Sequence, residues 1–316
     1  MVSYIIRRLL LLIPVLLIVG VIVFTLMHLT PGDPAAVMLG PDSTPEQKEA
    51  LRERLGLNEP IWTQFTVWFT NALRLDFGDS LFIGKPVIEA LKDRAEPTGL
   101  LALYALVFSL IVAIPAGVIA AVRANSLLDR LLMVVSISGV AIPSFFFGIL
   151  LILLFAVVLG WLPSGGYVNI RDDPVEHFKY MILPSITLGF AAAGLLARLV
   201  RSTMLDVLNE DYVRTAYSKG LAERRVVVVH AFRNALIPVL TIIGISFAGM
   251  LGGAVVIEQV FNIPGMGRLL VNSVVRRDIP VVQGAVMTVA AIEVLVMLLI
   301  DILYVFIDPR IRYGAE

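Results

Sequence analysis

Cysteine is absent from the 316 residues, which excludes disulfides, thiolate metal sites and cysteine nucleophiles. Charge is scarce as well: 16% of the residues are Asp, Glu, Lys or Arg, where an average globular chain carries about 25%. With a mean hydropathy of +0.90, that composition excludes a water-soluble multidomain enzyme. Net charge is missing too, 25 basic residues standing against 25 acidic ones, so no global field argues for a nucleic-acid partner. Histidine occurs only as His28, His177 and His230, too scattered for a metal site when no Cys and no clustered carboxylates accompany them. No Gly-x-x-x-x-Gly-Lys-Ser/Thr string occurs either. Gly84-Lys85-Pro86 lacks the upstream glycine and the magnesium-binding hydroxyl of a phosphate loop.

What the chain has instead is long apolar runs. A membrane-crossing helix needs roughly 18 to 20 apolar residues, because a rise of about 1.5 Å per residue must cover roughly 30 Å of hydrocarbon. Six stretches qualify: Leu9 to Leu29, Thr98 to Val122, a third within the charge-free Leu131 to Ile170, Tyr180 to Ala197, Asn234 to Ile257, and Val281 to Ile307. The fold class expected is therefore all-α and polytopic. Residues 1–30 hold the first transmembrane helix, 31–97 an extracytoplasmic helical insertion, and 98–316 a five-helix core. A cleaved signal peptide fits the N-terminus poorly, since its apolar run is about 21 residues, where a signal core has 7 to 15, and no small-residue cleavage site follows.

Basic residues set the orientation. With the N-terminus inside, the inner segments hold thirteen Lys and Arg, and the two short outer loops hold five: Arg171, Lys179, Arg268, Arg276 and Arg277. Both termini are expected in the cytoplasm. Proline lies in or at the edge of every span but the last (Pro14, Pro115, Pro143, Pro184, Pro238), and each frees a carbonyl that a neighbouring helix or a watery cavity must satisfy. Small residues recur at four-residue spacing in the fourth span (Gly189, Ala193, Ala197) and the fifth (Gly244, Ala248, Gly252), for packing within the bundle or against a second subunit.

Within the insertion, Thr44-Pro45-Glu46-Gln47 is a capping box that starts a helix running through Leu51 and Leu55 to Gly56. A second helix begins near Pro60, showing Ile61, Phe65, Trp68, Phe69 and Leu73 at helical spacing, and a short third is expected over Val87 to Arg94. The segment 198–234 reads differently. Leu205, Leu208, Tyr212, Ala216 and Lys219 keep a helical period, Gly220 can take the left-handed conformation that ends a helix, and a second helix with Arg224, Arg225 and Arg233 runs on into the fifth span. The alternative, an amphipathic helix lying on anionic lipid, needs neither the glycine nor the acidic Glu210-Asp211 pair.

The strings EDYVRTAYSKGL (210–221), HAFRNALIP (230–238), LTPGDP (29–34) and VIEQVFNIPGMGRLLVNSVVRRDIPVVQG (256–284) resemble the membrane permease subunits of ABC importers, in the branch handling oligopeptides, dipeptides, nickel and glutathione. The first string is similar to that branch's cytoplasmic EAA loop. Arg214-Thr215-Ala216 stands in the first triplet and Gly220 matches, while Ile237-Pro238 arrives several residues later than in carbohydrate and amino-acid permeases. The resemblance implies a pore shared with a second permease subunit, two cytoplasmic ATPases that bind ATP and magnesium, an extracytoplasmic solute-binding protein, and the cytoplasmic membrane of a bacterium or archaeon. It places the ATPase-coupling contact on Glu210, Asp211, Tyr212, Arg214, Thr215, Ala216, Lys219, Gly220 and Leu221. No cofactor and no catalytic residue is expected in the chain itself.

Three polar residues inside spans stand apart from that picture. Ser246, in Gly244-Ile-Ser246-Phe-Ala-Gly249, misses a serine-nucleophile elbow by one residue. Glu293 and Asp301, eight residues apart on roughly one face of the sixth span, would serve as a proton relay in a secondary transporter or as structural anchors facing the bundle. Besides the importer subunit, a proton-coupled carrier and a non-transporting membrane scaffold are the rival classes.

Overall fold

The computed structural model describes residues 2–29, 36, 39, 43–54, 56–80 and 82–307; the side chains of 2–12, 26, 27, 51, 54, 237, 301 and 303–307 are not among the features described. Most of the LTPGDP string, Leu55, and the side chains of Leu51 and Asp301 thus lie outside the described residues. The chain divides into two compact units, one of Val2–Glu96 with Gly265–Val294, the other of Pro97–Pro264 with the helix end from Leu295. Among the described residues the only β pairing is an isolated bridge between Asp79 and Pro86.

In the first unit, α1 (Val2–Leu29) is a helix of 28 residues. The capping box at Thr44 forms: the Thr44 amide donates to Gln47 Oε1 (3.0 Å) and the Gln47 amide to Thr44 Oγ1 (3.3 Å), opening α2 (Pro45–Arg54). Glu46, in that first turn, has its carboxyl held below the usual range by a backbone amide and then by the Thr44 hydroxyl. Gly56 follows at φ +66°, where glycine alone pays no Cβ penalty. The aromatic stripe on α3 (Ile61–Leu73) is split by the fold. Phe65 and Trp68 surround Phe24 of α1, and a Cβ at Gly20 would lie 2.8 Å from the Phe69 ring, whereas Ile61 and Leu73 stay exposed.

The expected separate helix over Val87 to Arg94 is corrected: it is the first turns of α4 (Val87–Val122), a single helix of 36 residues that continues into the second span. In the first unit Val87, Ala90 and Leu91 pack with Phe77, and with Met266 and Leu269 of α10 (Met266–Arg276) and Val281 and Ala285 of α11 (Ile279–Ile307). The turn before α11 is held by Ser80, whose hydroxyl donates to buried Asp278 (2.5 Å) and accepts from the Ile83 amide (2.9 Å).

In the second unit the third span is broken. After α5 (Leu127–Ala141) the chain turns by 108° at Ile142-Pro143 into α6 (Ser144–Leu151), which continues as a π-helix over Ile152–Val158. The cause is local: Pro143 has no amide to extend α5 and disfavours a helical Ile142, which sits at ψ 125°. Four described helices (α4, α7, α9, α11) are long and apolar enough to cross a membrane, and the bent pair makes a fifth. The span predicted over Tyr180 to Ala197 is the middle of α7 (Pro174–Leu208), 35 residues started by Asp173, whose carboxylate accepts from the Val175 and Glu176 amides (3.0 Å each). That extension takes in His177, which the outer loop holding Arg171 and Lys179 is expected to contain. It is not a loop residue but sits fully buried in the first turn of α7, Nδ1 donating to the Val168 carbonyl (2.7 Å) and Nε2 3.2 Å from the Tyr104 hydroxyl.

α7 packs against α5 and against α9 (Phe232–Val260). Small residues set the close approaches: Cβ atoms built at Gly189 of α7 and Gly117 of α4 would lie 2.5 Å from the Ala105 carbonyl and 2.6 Å from the Ala197 carbonyl, where α4 meets α7, and one at Gly194 of α7 would collide with the Ser136 carbonyl of α5. The Gly189, Ala193, Ala197 face is thus used inside this chain. Thr98, inside α4, donates to the fully buried Glu258 of α9 (2.5 Å).

Candidate functional site

The segment 198–234 folds as an elbow. α7 continues to Leu208, where Asn209 caps it, the side-chain amide donating to the Leu205 carbonyl (2.9 Å). One continuous helix from Leu205 to Lys219 is therefore corrected to two, with a break at Asn209-Glu210. Glu210 occupies the N-cap position of α8 (Asp211–Ser218) in extended backbone, and its side chain makes no capping bond. α8 ends as expected: the Lys219 amide donates to the Thr215 carbonyl (3.1 Å), the Gly220 amide to Tyr217 (2.9 Å), and Gly220 lies at φ +76°. A helical turn over Glu223–Arg225 and a π-helix over Val226–Ala231 then lead without interruption into α9.

Two buried side chains attach α8 to its stems. Val213 and Ala216 pack with Val226, and Val207, Leu208 and Leu221 close around them. Fully burying a valine side chain contributes about 1.5–3 kcal/mol, enough to seat an eight-residue helix that could not persist alone. A polar strut adds direction: the Tyr212 hydroxyl accepts from Asn234 Nδ2 (2.7 Å) and donates to the His230 carbonyl (3.4 Å). The π segment enters the core of the spans, because Val227 and Ala231 pack with Leu196, Val200 and Met204 of α7. α8 thus touches the end of α7 through Val207 and Leu208, the π-helix through Val226, and α9 through Asn234.

The nine residues singled out in the sequence divide by face. Glu210, Asp211, Tyr212, Arg214, Thr215, Lys219 and Gly220 are exposed, Ala216 is buried beneath them and Leu221 half-buried. Asp211 and Arg214 stand 3.9 Å apart on the open surface, an ion pair of little energetic weight. Arg224, Arg225 and Arg233 are also exposed, so the elbow presents both signs of charge to the outside.

A feature beneath the elbow was missed. Arg201 of α7 forks onto Asp129 of α5 through Nε and Nη2 (2.6 and 2.7 Å), with Asp129 4% exposed and also accepting from the Asn125 amide (2.8 Å). The findable signal was Ser126-Leu-Leu-Asp129, a capping box whose serine accepts from the Asp129 amide (3.2 Å); which basic residue would reach the carboxylate was not encoded locally. Ser246 lies on α9 with its Oγ buried and without a partner among the described residues, and Glu293 lies half-buried on α11.

The comparisons agree with this architecture. Residues 113–313 match the model of the binding-protein-dependent transport system inner membrane component, and residues 1–94 match the N-terminal model of the same transport-system membrane component. The chain is 45% identical over 313 residues, 99% of its length and 100% of the relative's, to "Glutathione transport system permease protein GsiC" of Escherichia coli. It is 44% identical over 310 residues, 98% of its length and 99% of the relative's, to "Probable peptide ABC transporter permease protein y4tP" of Sinorhizobium fredii. In fold, it superposes on a chain of the inward-facing MetNI methionine ABC transporter with a TM-score of 0.56 at 17% identity, over 69% of this chain and 96% of that one. With this bent third span and glycine-broken elbow, the chain belongs to the binding-protein-dependent transport system inner membrane components, and is a multi-pass inner-membrane protein.

Proposed function

We propose that the chain is the permease subunit of an ATP-driven importer that carries peptides or related small solutes, glutathione among them, into the cytoplasm. What carries the reading is identity of about 45% along the whole chain to permeases named for peptide and glutathione transport. The pore is shared with a second permease subunit, a heterodimer being the expected form. Two partner ATPases bind ATP and magnesium, and an extracytoplasmic binding protein delivers the solute. The chain itself is not an enzyme. Both termini and the 198–234 elbow face the cytoplasm, with α8 as the element a partner ATPase grips, so that nucleotide-driven closure moves α7 and α9 together.

The test is reconstitution with the neighbouring subunits in proteoliposomes. Uptake of labelled glutathione and short peptides should require ATP and the binding protein, and should survive collapse of the proton gradient at fixed ATP. Uptake that an uncoupler abolishes at fixed ATP would make a proton-coupled carrier the better reading. Sidedness is tested by single cysteines in the Cys-free background at Ser43, Val275 and Ser218; Val275 is 78% exposed, unlike its buried neighbour Ser273. An impermeant thiol reagent should label the first two from outside and leave Ser218 silent.

A further inference from the structure

The segment 31–97 holds two helices of opposite character. α2 places six charged residues in ten positions, Glu46, Lys48, Glu49, Arg52, Glu53 and Arg54, and belongs in water. α3 has none: between Glu59 and Arg74 no residue carries a formal charge. Yet its own chain covers only part of it. Phe65, Trp68, Phe69 and Ala72 turn towards α1 and the core of the unit, while Trp62, Thr66, Val67, Thr70 and Leu73 lie exposed on the remaining side, Trp62 72% so. The hydroxyls on that side need no water as acceptor: Thr66 Oγ1 donates to the Thr63 carbonyl (3.0 Å) and Thr70 Oγ1 to the Thr66 carbonyl (2.7 Å). α1 fixes where this helix lies. Gln64 Oε1 is 3.4 Å from His28 Nε2, Phe65 and Trp68 surround Phe24, and Phe69 meets Gly20. The two helices thus run in opposite senses, with α3 beside the half of the apolar run Leu9 to Leu29 that is nearer Leu29.

We propose that α3 is a membrane-embedded helix, its exposed side set against lipid at the boundary of headgroups and acyl chains in the outer leaflet. Contact with lipid needs only that residues 9–29 cross the membrane; the choice of leaflet rests on the sidedness proposed above. The apolar surface is continuous with that of the span, since Ile18, Val21 and Ile22, on either side of Gly20, are exposed as well. Trp62 carries the amphipathic indole that favours the headgroup boundary. Exposed Glu59 before the helix and exposed Arg74 and Asp76 after it limit the depth: their charges stay with the headgroups, so α3 lies in the boundary region and does not descend to the midplane. A soluble partner protein is the competing occupant. It is disfavoured because a protein-binding face carries a polar, solvated rim, and this side has no charged group along its length.

The Cys-free chain makes the test direct. The single substitutions Trp62→Cys, Thr66→Cys, Val67→Cys and Thr70→Cys each receive a nitroxide label in the complete complex, reconstituted in phosphatidylethanolamine–phosphatidylglycerol bilayers. Ile18→Cys and Ile22→Cys on α1 serve as lipid references, Ala50→Cys and Glu53→Cys on α2 as water references. Every one of these positions is exposed, so labelling leaves the core intact. Collision of the label with molecular oxygen, which gathers among acyl chains, is measured against collision with the water-soluble nickel chelate of ethylenediaminediacetate. The ratio on α3 should exceed that on α2 by at least about fivefold and approach that on α1, and should not change when the binding protein is omitted. A ratio equal to that of α2 would put the face in water and overturn the proposal. Low collision with both reagents would mean that protein covers the face and would overturn it as well, omission of the binding protein telling which partner does so. Water-type ratios at Ile18 and Ile22 too would overturn the first span itself, and the proposal with it.

Discussion

α7 and α9 are both long apolar helices rich in glycine, yet 61% of the apolar window of α7 is buried within the chain against 28% for α9. On α7, Gly189 and Gly194 sit against the backbones of α4 and α5, where no larger residue fits. On α9, Gly249 and Gly252 face open space. On α7 glycine lets two backbones approach, whereas at Gly249 and Gly252 of α9 no packing within the chain requires it. Glycine spacing in a sequence therefore does not say which glycines a neighbouring backbone requires.

Substitution should separate the two helices sharply. Gly194→Leu drives a side chain into the Ser136 carbonyl and should cost 3 kcal/mol or more, near the upper end of overpacking penalties, so little folded protein is recovered by size-exclusion chromatography in detergent. Gly252→Leu, whose Cβ meets no atom within 4 Å, should yield the folded protein in normal amount. Equal losses of folded protein in the two variants would erase the distinction. Next in size is the clamp between α5 and α7: Arg201→Met leaves the buried Asp129 carboxylate with the Asn125 amide and without its cation, at a cost of about 3 kcal/mol, read as a lowered unfolding midpoint. Arg201→Lys should recover only part of it, because the ammonium cannot reproduce the fork.

Smaller effects are expected at the elbow. Gly220→Val meets no neighbouring atom, so its cost is the left-handed backbone alone, about 1–2 kcal/mol, with insertion into the membrane intact and ATP-dependent uptake strongly reduced. Unchanged uptake would remove Gly220 from the coupling path. Tyr212→Phe removes both strut hydrogen bonds, the short one from Asn234 and the long one to the His230 carbonyl, about 1 kcal/mol in all since both lie at an exposed site, and should weaken ATPase stimulation without changing the amount of protein. Smallest of all is Glu293→Gln, which keeps volume and hydrogen-bonding capacity; transport should be retained, and its abolition in an assembled complex would revive the proton relay.

Local chemistry made much of this legible. The capping box at Thr44, the helix stop at Gly220 and the helix that enters the fifth span depend on residues within a few positions of each other, and each forms where the sequence put it. The breaks went partly unseen. Pro143 is legible as a residue that frees a carbonyl and ends a helix, but the 108° angle at which the chain resumes depends on more than that residue. The continuation of α4 through Pro97 likewise depends on Val87 and Leu91 being buried against α10 and α11, far along the chain.

By itself the sequence determined the apolar spans, the caps, the left-handed glycine of the elbow and the absence of any nucleotide loop, since all follow from composition and neighbours along the chain. Only the tertiary structure decided that Arg201 meets Asp129, that Thr98 meets Glu258, and which glycines touch a neighbouring backbone and which meet no atom of the chain. Those pairings join residues 72 and 160 positions apart, and the van der Waals packing that holds spans together in lipid carries no label along the sequence saying which face of a helix will be covered.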